Sequence, residues 1–183
     1  RRAKFERCET VIENSLPALA ILGEQRRQTA RQLLGLPALF RAQKPLDGDE
    51  RTRRGRERRE RVLALYGQGA LRSAQDNYFA ALVMLYGDDI AHFELAKTFG
   101  QRASVLGEPR AWSVIAAAWD RSLLGRGKPQ RFGTQFVREN GRWSLGEVDP
   151  RITDMQRALY GVPPLWVQRQ NAEQLQRREE EDS

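Results

Sequence analysis

The sequence contains little cysteine, histidine or lysine, and it has no long apolar run. The one cysteine, Cys8, excludes an intramolecular disulfide and a cysteine-based zinc site. The one histidine, His92, excludes a two-histidine metal site and a proton relay between histidines. The longest apolar stretch, residues 16–22, contains Pro17 and is far shorter than a membrane span. We therefore expect no bound metal and no cofactor, and catalysis is the less favoured class of function.

The charged residues that are present are mostly arginine. The chain has 31 basic residues, of which only four are lysine, and its net charge is +7 with a sequence pI of about 10.2. This balance favours acidic partners, namely nucleic acid, anionic lipid head groups or an acidic protein surface. Arginine binds carboxylates and phosphates through a planar fork, although a GC-rich genome would produce the same bias. The charge therefore indicates an acidic partner, but it does not distinguish between nucleic acid, a lipid surface and a protein.

Residues 51–61 form the densest basic segment, with seven arginines and two glutamates. The apolar residues that follow predict a single helix with a polar beginning, ended by Gly67 and Gly69. Two interpretations stay open: a solvated helix face with internal Arg–Glu pairs, or a docking strip for phosphates or carboxylates. The docking strip would consist of Arg51, Arg53, Arg54, Arg58, Arg59 and Arg61.

The central third of the chain carries the clearest helix signals. Ser73 and Asp76 have capping-box spacing, and Asp88 or Asp89 can cap a second helix after the stop at Gly87. A third apolar stripe covers residues 112–123. Three helices joined by short turns predict a mainly α fold, an antiparallel array similar to a short helical-repeat protein. His92 lies in the second apolar stripe, which favours a core or rim histidine over a catalytic one.

The hydrophobic period then changes, and a β-hairpin is predicted near residues 132–148. Asn140–Gly141 is a strong signal for a two-residue type I′ turn. This turn places Arg138 opposite Trp143 as a stacked cross-strand pair. Because one hairpin is not stable alone, we expect it to pack on the third helix, against Trp112 or Trp119.

The remaining segments predict two further helices and a division of the chain into three parts. Asp149–Pro150 has the spacing of a helix start, with aspartate as cap and proline at the first position. A last helix is predicted at 165–181. We predict an N-terminal helical extension with the arginine-rich segment at 1–72, a core helical domain with the hairpin at 73–161, and a C-terminal helix with an acidic tail at 162–183.

Residues 77–136 resemble a family of uncharacterised bacterial proteins known as a domain of unknown function. The similarity is carried by Tyr78-Phe79-Ala80-Ala81-Leu82-Val83, by Ala118-Trp119-Asp120-Arg121, and above all by Gly127-Lys128-Pro129-Gln130-Arg131-Phe132-Gly133-Thr134-Gln135. The resemblance implies helical hairpins followed by this turn, and it implies no established activity. This chain has Leu85-Tyr86-Gly87 where relatives tend to have Gln-His-Gly, so a histidine of the family is missing here.

The polar string, which we define as residues 127–135, also has a physical interpretation. Gln130, Thr134 and Gln135 supply amide and hydroxyl groups that can bind exposed backbone, and Asp120 and Arg121 stand just before them. One interpretation is a structural lock between the third helix and the hairpin. The other is a polar ligand pocket lined by these side chains.

Three functions follow from these patterns. The first is a non-catalytic interaction or accessory subunit that docks on a larger protein assembly, including a membrane-associated one, with contact to an anionic membrane surface. The second is a hydrolase-like enzyme that uses Asp120 and Arg121 with the turn Gln130–Gln135. The third is a nucleic-acid-binding protein that acts through residues 51–61. It is the less favoured one, because no aromatic residue interleaves the basic run.

The compartment is predicted from weaker signals. The sequence starts at Arg1, and the missing methionine favours an exported, envelope-associated protein. One lone cysteine is compatible with a cytoplasmic protein as well.

Overall fold

The structure is a computed structural model that describes residues 48–181, and the side chain of Arg51 is not among the described parts. The predicted helices and apolar segments before Gly48 lie outside the described residues. The elements in chain order are α1 Gly48–Gly67, α2 Ala74–Leu85, α3 Ile90–Val105, α4 Ala111–Leu124, β1 Val137–Glu139, β2 Arg142–Ser144, α5 Asp154–Leu159 and α6 Leu165–Glu181. The prediction of a mainly helical protein with one antiparallel β-hairpin is therefore confirmed over this range.

The helix starts in the central region follow local capping chemistry. The Ser73 hydroxyl accepts a hydrogen bond from the Asp76 amide at 3.0 Å, and the Asp76 carboxylate accepts one from the Ser73 amide at 2.9 Å. The Asp89 carboxylate accepts the amide of Ala91 at the start of α3. Both predicted caps are therefore confirmed. Each cap stabilises its helix because it satisfies amides that have no partner inside the helix.

The helix predicted to start at Asp149–Pro150 begins four residues later than that, so this prediction was wrong. Thr153 is the cap of α5, and Gln156 completes a capping box with it. Asp149 instead accepts the amide of Arg151 at 3.0 Å and pairs with its guanidinium. The capping box satisfies two otherwise unpaired amides reciprocally, which a lone aspartate before proline does not.

Helices α2, α3 and α4 pack in sequence, and α1 adds its apolar face to them. Val62 and Leu65 of α1 are buried in the same cluster as Met84 of α2 and Phe99 of α3. A Cβ atom on Gly100 would lie 2.8 Å from Cγ1 of Ile115, so α3 and α4 approach each other closely there. A second buried cluster joins α4 to the residues after it and consists of Ala116, Phe132, Ile152 and Val162.

The hairpin has the predicted turn and register. Asn140 and Gly141 both have positive φ, at 51° and 79°, as a type I′ turn requires. Arg138 is paired with Trp143 across the strands, and Glu139 with Arg142.

The partner of the hairpin differs from the prediction. The Trp143 amide donates to Gln176 of α6 at 3.0 Å, and the Trp143 indole donates to Glu179 at 2.9 Å. Arg138 pairs with Glu179 at 3.0 Å. The expectation that the hairpin packs on α4 was wrong for the two strands, because α6 offers an amide oxygen and a carboxylate that satisfy the polar groups of both. Within the predicted segment 132–148, Phe132 does contact Trp119 of α4, with ring centroids 6.1 Å apart. Trp112 of α4 contacts Tyr160 instead.

The division of the chain at residues 72 and 161 stays a prediction. Its outer parts nevertheless contribute to the packing, since α1 enters the first buried cluster and α6 contacts β2.

Candidate functional site

Asp120, near the end of α4, is the centre of the polar site. Its side chain is fully buried. Oδ1 accepts the backbone amides of Arg131 at 2.7 Å and Phe132 at 2.9 Å. Oδ2 accepts the amide of Thr134 at 2.9 Å and the Thr134 hydroxyl at 2.8 Å. Four donors therefore occupy a carboxylate that has about four acceptor positions, which is full use of its capacity.

Gln130 connects the polar string to the segment that follows β2. Its side chain is also fully buried. Oε1 accepts the amide of Gln135 at 2.8 Å, and Nε2 donates to the carbonyls of Gln135 and Leu145. Its backbone amide donates to Glu147 at 2.9 Å, while its carbonyl accepts the amide of Asp149 at 2.8 Å. One glutamine thus uses both its backbone and its side chain to hold two chain segments side by side.

Arg121 extends this network to α2. Nε donates to Oε1 of Gln135 at 2.8 Å, and Nη1 donates to the carbonyl of Leu85 at 2.6 Å. That carbonyl is one of the last of α2, where a cation and a donor are both favourable. The Arg121 guanidinium also lies 5.6 Å from the ring of Tyr86. Burial lowers the pKa of Arg121 from its ordinary value.

The five residues predicted as a polar site are therefore brought together: Asp120, Arg121, Gln130, Thr134 and Gln135. The network was predicted as either a structural lock or a ligand pocket. Each oxygen and nitrogen of the Asp120 and Gln130 side chains has a partner from this chain. Neither side chain keeps a free polar atom that could act on a substrate.

Two residues of this region were missed from the sequence. Arg157 is buried, and it donates to the carbonyl of Phe132 at 3.0 Å and to that of Ile152 at 2.7 Å. Gln168 is buried as well, and it donates to the carbonyl of Gly133 at 3.0 Å. No local signal marks them, since an arginine or glutamine on a polar helix is ordinarily exposed.

His92 lies at the rim of the helical array, in agreement with the interpretation of it as a core or rim histidine. It is half-buried, and its Nδ1 lies 3.2 Å from the Asp88 carboxylate. A Cβ atom on Gly87 would lie 2.4 Å from the Cβ of His92, so the glycine makes room for the histidine.

The residues of the predicted docking strip differ in exposure and in their partners. Arg53 binds Glu50 at 2.8 Å and also pairs with Glu57, while Arg54 pairs with Glu50. The hydrogen bonds that Glu50 accepts from Arg53 and Arg54 lower the pKa of Glu50, and the one from Arg53 has the larger effect.

The other members of the strip differ in burial. Arg59 is buried and reaches Asp88 at 3.3 Å, whereas Arg61 is exposed. Burial lowers the pKa of Arg58, which is partly buried. Arg51 is the member whose side chain is not described. Arg53 and Arg54 therefore form ion pairs inside the helix and Arg59 is buried, while the choice between a solvated helix face and a docking strip stays open.

Within residues 48–181, no group of three or more histidine, cysteine, aspartate or glutamate side chains could hold a metal ion. In the same range, no helix combines the length and apolar character required to cross a bilayer. Comparisons of the chain with known protein families, curated proteins and solved structures gave no match.

Proposed function

We propose that this protein is a non-catalytic accessory subunit that docks on a larger protein assembly. The observation that carries the proposal is a group of exposed apolar side chains, which we call the apolar patch. It consists of Trp112 on α4, Met155 and Leu159 on α5, and Trp166 at the start of α6.

The three elements that carry the apolar patch are neighbours. The rings of Trp112 and Tyr160 lie 5.5 Å apart, which places α4 beside the end of α5. The amide of Leu165 donates to Asp154 at 2.8 Å, which places the start of α6 beside the start of α5. Exposed tryptophan and methionine are the residue types that protein interfaces favour.

The clustering of exposed apolar side chains on one short helix supports docking. Met155 is 79% exposed and Leu159 is 70% exposed, and both lie on α5, a helix of six residues. They are four residues apart and therefore project from the same side of α5. Large apolar side chains that are this exposed on one short helix are best explained by a partner surface that covers them.

The saturated polar network supports a non-catalytic role over the hydrolase alternative. A general acid or base must reach the proton that it transfers. The Asp120 oxygens are instead occupied by the donors of residues 131, 132 and 134. The hydrolase alternative predicts that Asp120→Asn abolishes turnover while the thermal stability is unchanged, which separates it from the accessory role.

The nucleic-acid alternative has less support from the geometry. The ion pairs of Arg53 and Arg54 with Glu50 and Glu57 offset part of the positive charge of α1. A nucleic-acid binder would lose affinity steeply with added salt, and the slope would become shallower when Arg53, Arg54, Arg58 and Arg59 are neutralised. We also propose that residues 77–136 belong to the bacterial domain of unknown function that they resemble. That resemblance implies no established activity, so it is compatible with a role that needs no catalytic group.

The experiment is size-exclusion chromatography with light scattering on native extracts, using the full chain. The wild-type protein is expected in an assembly well above its own mass of 21.0 kDa. The double variant Met155→Glu/Leu159→Glu is expected to elute as a free monomer. The control is Val105→Glu, which introduces the same charge at an 86% exposed position on α3. A wild-type protein that is monomeric at every concentration would contradict the proposal.

A further inference from the structure

The side chains on the outer side of the polar string line a surface cavity of about 470 Å³. Its wall includes Trp119 and Leu123 from α4, Lys128 and Arg131 from the string, and Arg151 from the segment before α5. A volume of this size is typical of small-molecule sites. The string therefore has two sides: Gln130 and Thr134 point into the hydrogen-bond network, while its lysine and arginine border the cavity.

The cavity is positively charged. Three cations and a single carboxylate, Asp149, line it. Arg151 binds both oxygens of Asp149, at 3.0 and 2.9 Å, and this pairing lowers the pKa of Asp149 to about 2. Among residues 48–181, no carboxylate lies within ion-pair distance of Lys128 or Arg131. Asp149 is already paired with Arg151, and the charge of Arg131 adds only a minor part to the lowering of its pKa, so no carboxylate of the described chain neutralises Lys128 or Arg131 in a direct ion pair.

Arg131 is held in a defined position. Its backbone amide donates to Asp120 at 2.7 Å, and its guanidinium lies 4.8 Å from the ring of Trp119. The Nε atom of Arg131 is buried and has no hydrogen-bond partner. Pro129, two residues before Arg131, has a fixed φ angle and so restricts the backbone that leads into Gln130 and Arg131. A guanidinium that is fixed by stacking loses less freedom when it binds an anion.

We infer that this cavity binds a small molecule that carries a phosphate group. Arginine and lysine together match the geometry and charge of phosphate. The cavity is larger than a phosphate ion, and Trp119 and Leu123 provide apolar wall for an organic part of the ligand. The hydrogen bonds from Arg131 and Phe132 to Asp120 then act as positioning contacts, because they set the backbone from which Arg131 extends. This site does not depend on the docking role, and it uses none of the residues of the apolar patch.

The test is isothermal titration of the full chain at constant ionic strength with three probes: glycerol 3-phosphate, inorganic phosphate and glycerol. We expect saturable binding of glycerol 3-phosphate at one site, weaker binding of inorganic phosphate, and none of glycerol. Absence of saturable phosphate binding, or equal or tighter binding of inorganic phosphate, would overturn the assignment.

Three variants localise the binding. Lys128→Gln and Arg131→Gln should each weaken the affinity for glycerol 3-phosphate at least tenfold. Arg169→Gln removes the same charge at an exposed position on α6 and should leave the affinity unchanged. Equal weakening by Arg169→Gln would show a general charge effect and refute the site. If Arg131→Gln impairs folding, Lys128→Gln decides the outcome alone, because Lys128 is exposed.

Discussion

Replacing Asp120 by asparagine changes one oxygen of a buried carboxylate into an NH₂ donor. In the wild-type protein three backbone amides and one hydroxyl all donate to this side chain. Asparagine can accept on one side only. If its oxygen faces the amides of Arg131 and Phe132, its NH₂ group faces the amide of Thr134, and two donors then oppose each other.

The expected cost can be worked out from these contacts. A buried amide without a partner costs about 1–3 kcal/mol, and each remaining bond falls from a charge-assisted to a neutral one, at about 1 kcal/mol each. Removing the charge also removes its desolvation penalty, which offsets part of the loss. We therefore expect Asp120→Asn to lower the free energy of unfolding by about 3 kcal/mol. For a chain of this length, that corresponds to a fall in Tm of about 6–12 °C.

The assay is thermal and urea unfolding of the full chain, followed by circular dichroism. Asp89→Asn is the matched control, since Asp89 is exposed and asparagine caps helices as well as aspartate does. It should change stability by less than about 0.5 kcal/mol. Thr134→Val should cost about 1 kcal/mol in the wild-type background and less beside Asp120→Asn, because the two side chains share a hydrogen bond. A Tm of Asp120→Asn within 2 °C of the wild type would refute the interpretation of the network as a structural lock.

Two further predictions concern helix packing and pH. Gly100→Ala should destabilise the protein by about 1 kcal/mol, because the new methyl group would lie 2.8 Å from Cγ1 of Ile115 and the overlap outweighs the gain in helix propensity. Gly55→Ala in α1, where the new methyl group would meet only the end of the Arg59 side chain at 3.3 Å, should instead stabilise it by about 0.5–1 kcal/mol. Equal effects of the two substitutions in urea unfolding would contradict this reasoning. The pKa of Glu94 is lowered to about 2, chiefly by its hydrogen bond from Lys97. Its contribution to stability is therefore complete above about pH 4.5 and is lost as the pH falls toward 2. Because the Glu94 side chain is 38% exposed, solvent screening limits that contribution to about 1 kcal/mol. Unfolding of wild type and Glu94→Gln between pH 2 and 6 should show a stability difference that shrinks with acid, and a constant difference would argue against the lowered pKa.

Local chemistry explains which elements could be predicted from the sequence. The Ser73–Asp76 capping box, the Asp89 cap and the Asn140–Gly141 turn each depend on residues within three or four positions of one another. The register of the hairpin follows from the turn alone. The cap of α5 was predicted at Asp149 and lies at Thr153, although the capping box that decides it is local as well.

The composition of the polar site could be predicted, but its bonding pattern could not. The residue types at positions 120, 121, 130, 134 and 135 indicated a polar cluster. Whether those groups face a ligand or each other depends on contacts between residues that are 11 to 14 positions apart in the chain. No periodic pattern in the sequence predicts such contacts. The direction of Arg131 toward the cavity, opposite to Gln130, likewise depends on the packed position of Trp119.

The sequence by itself determined the helical class of the described region, the helix starts at Ser73 and Asp89 and the type I′ hairpin, because these depend on short-range sterics and hydrogen bonds. Only the tertiary structure decided that α6 receives the hairpin and that Arg157 is buried under the polar string. These contacts join residues 25 to 36 positions apart. Such partners are selected by which unpaired donors and acceptors meet when the helices pack, and that selection requires the complete three-dimensional arrangement.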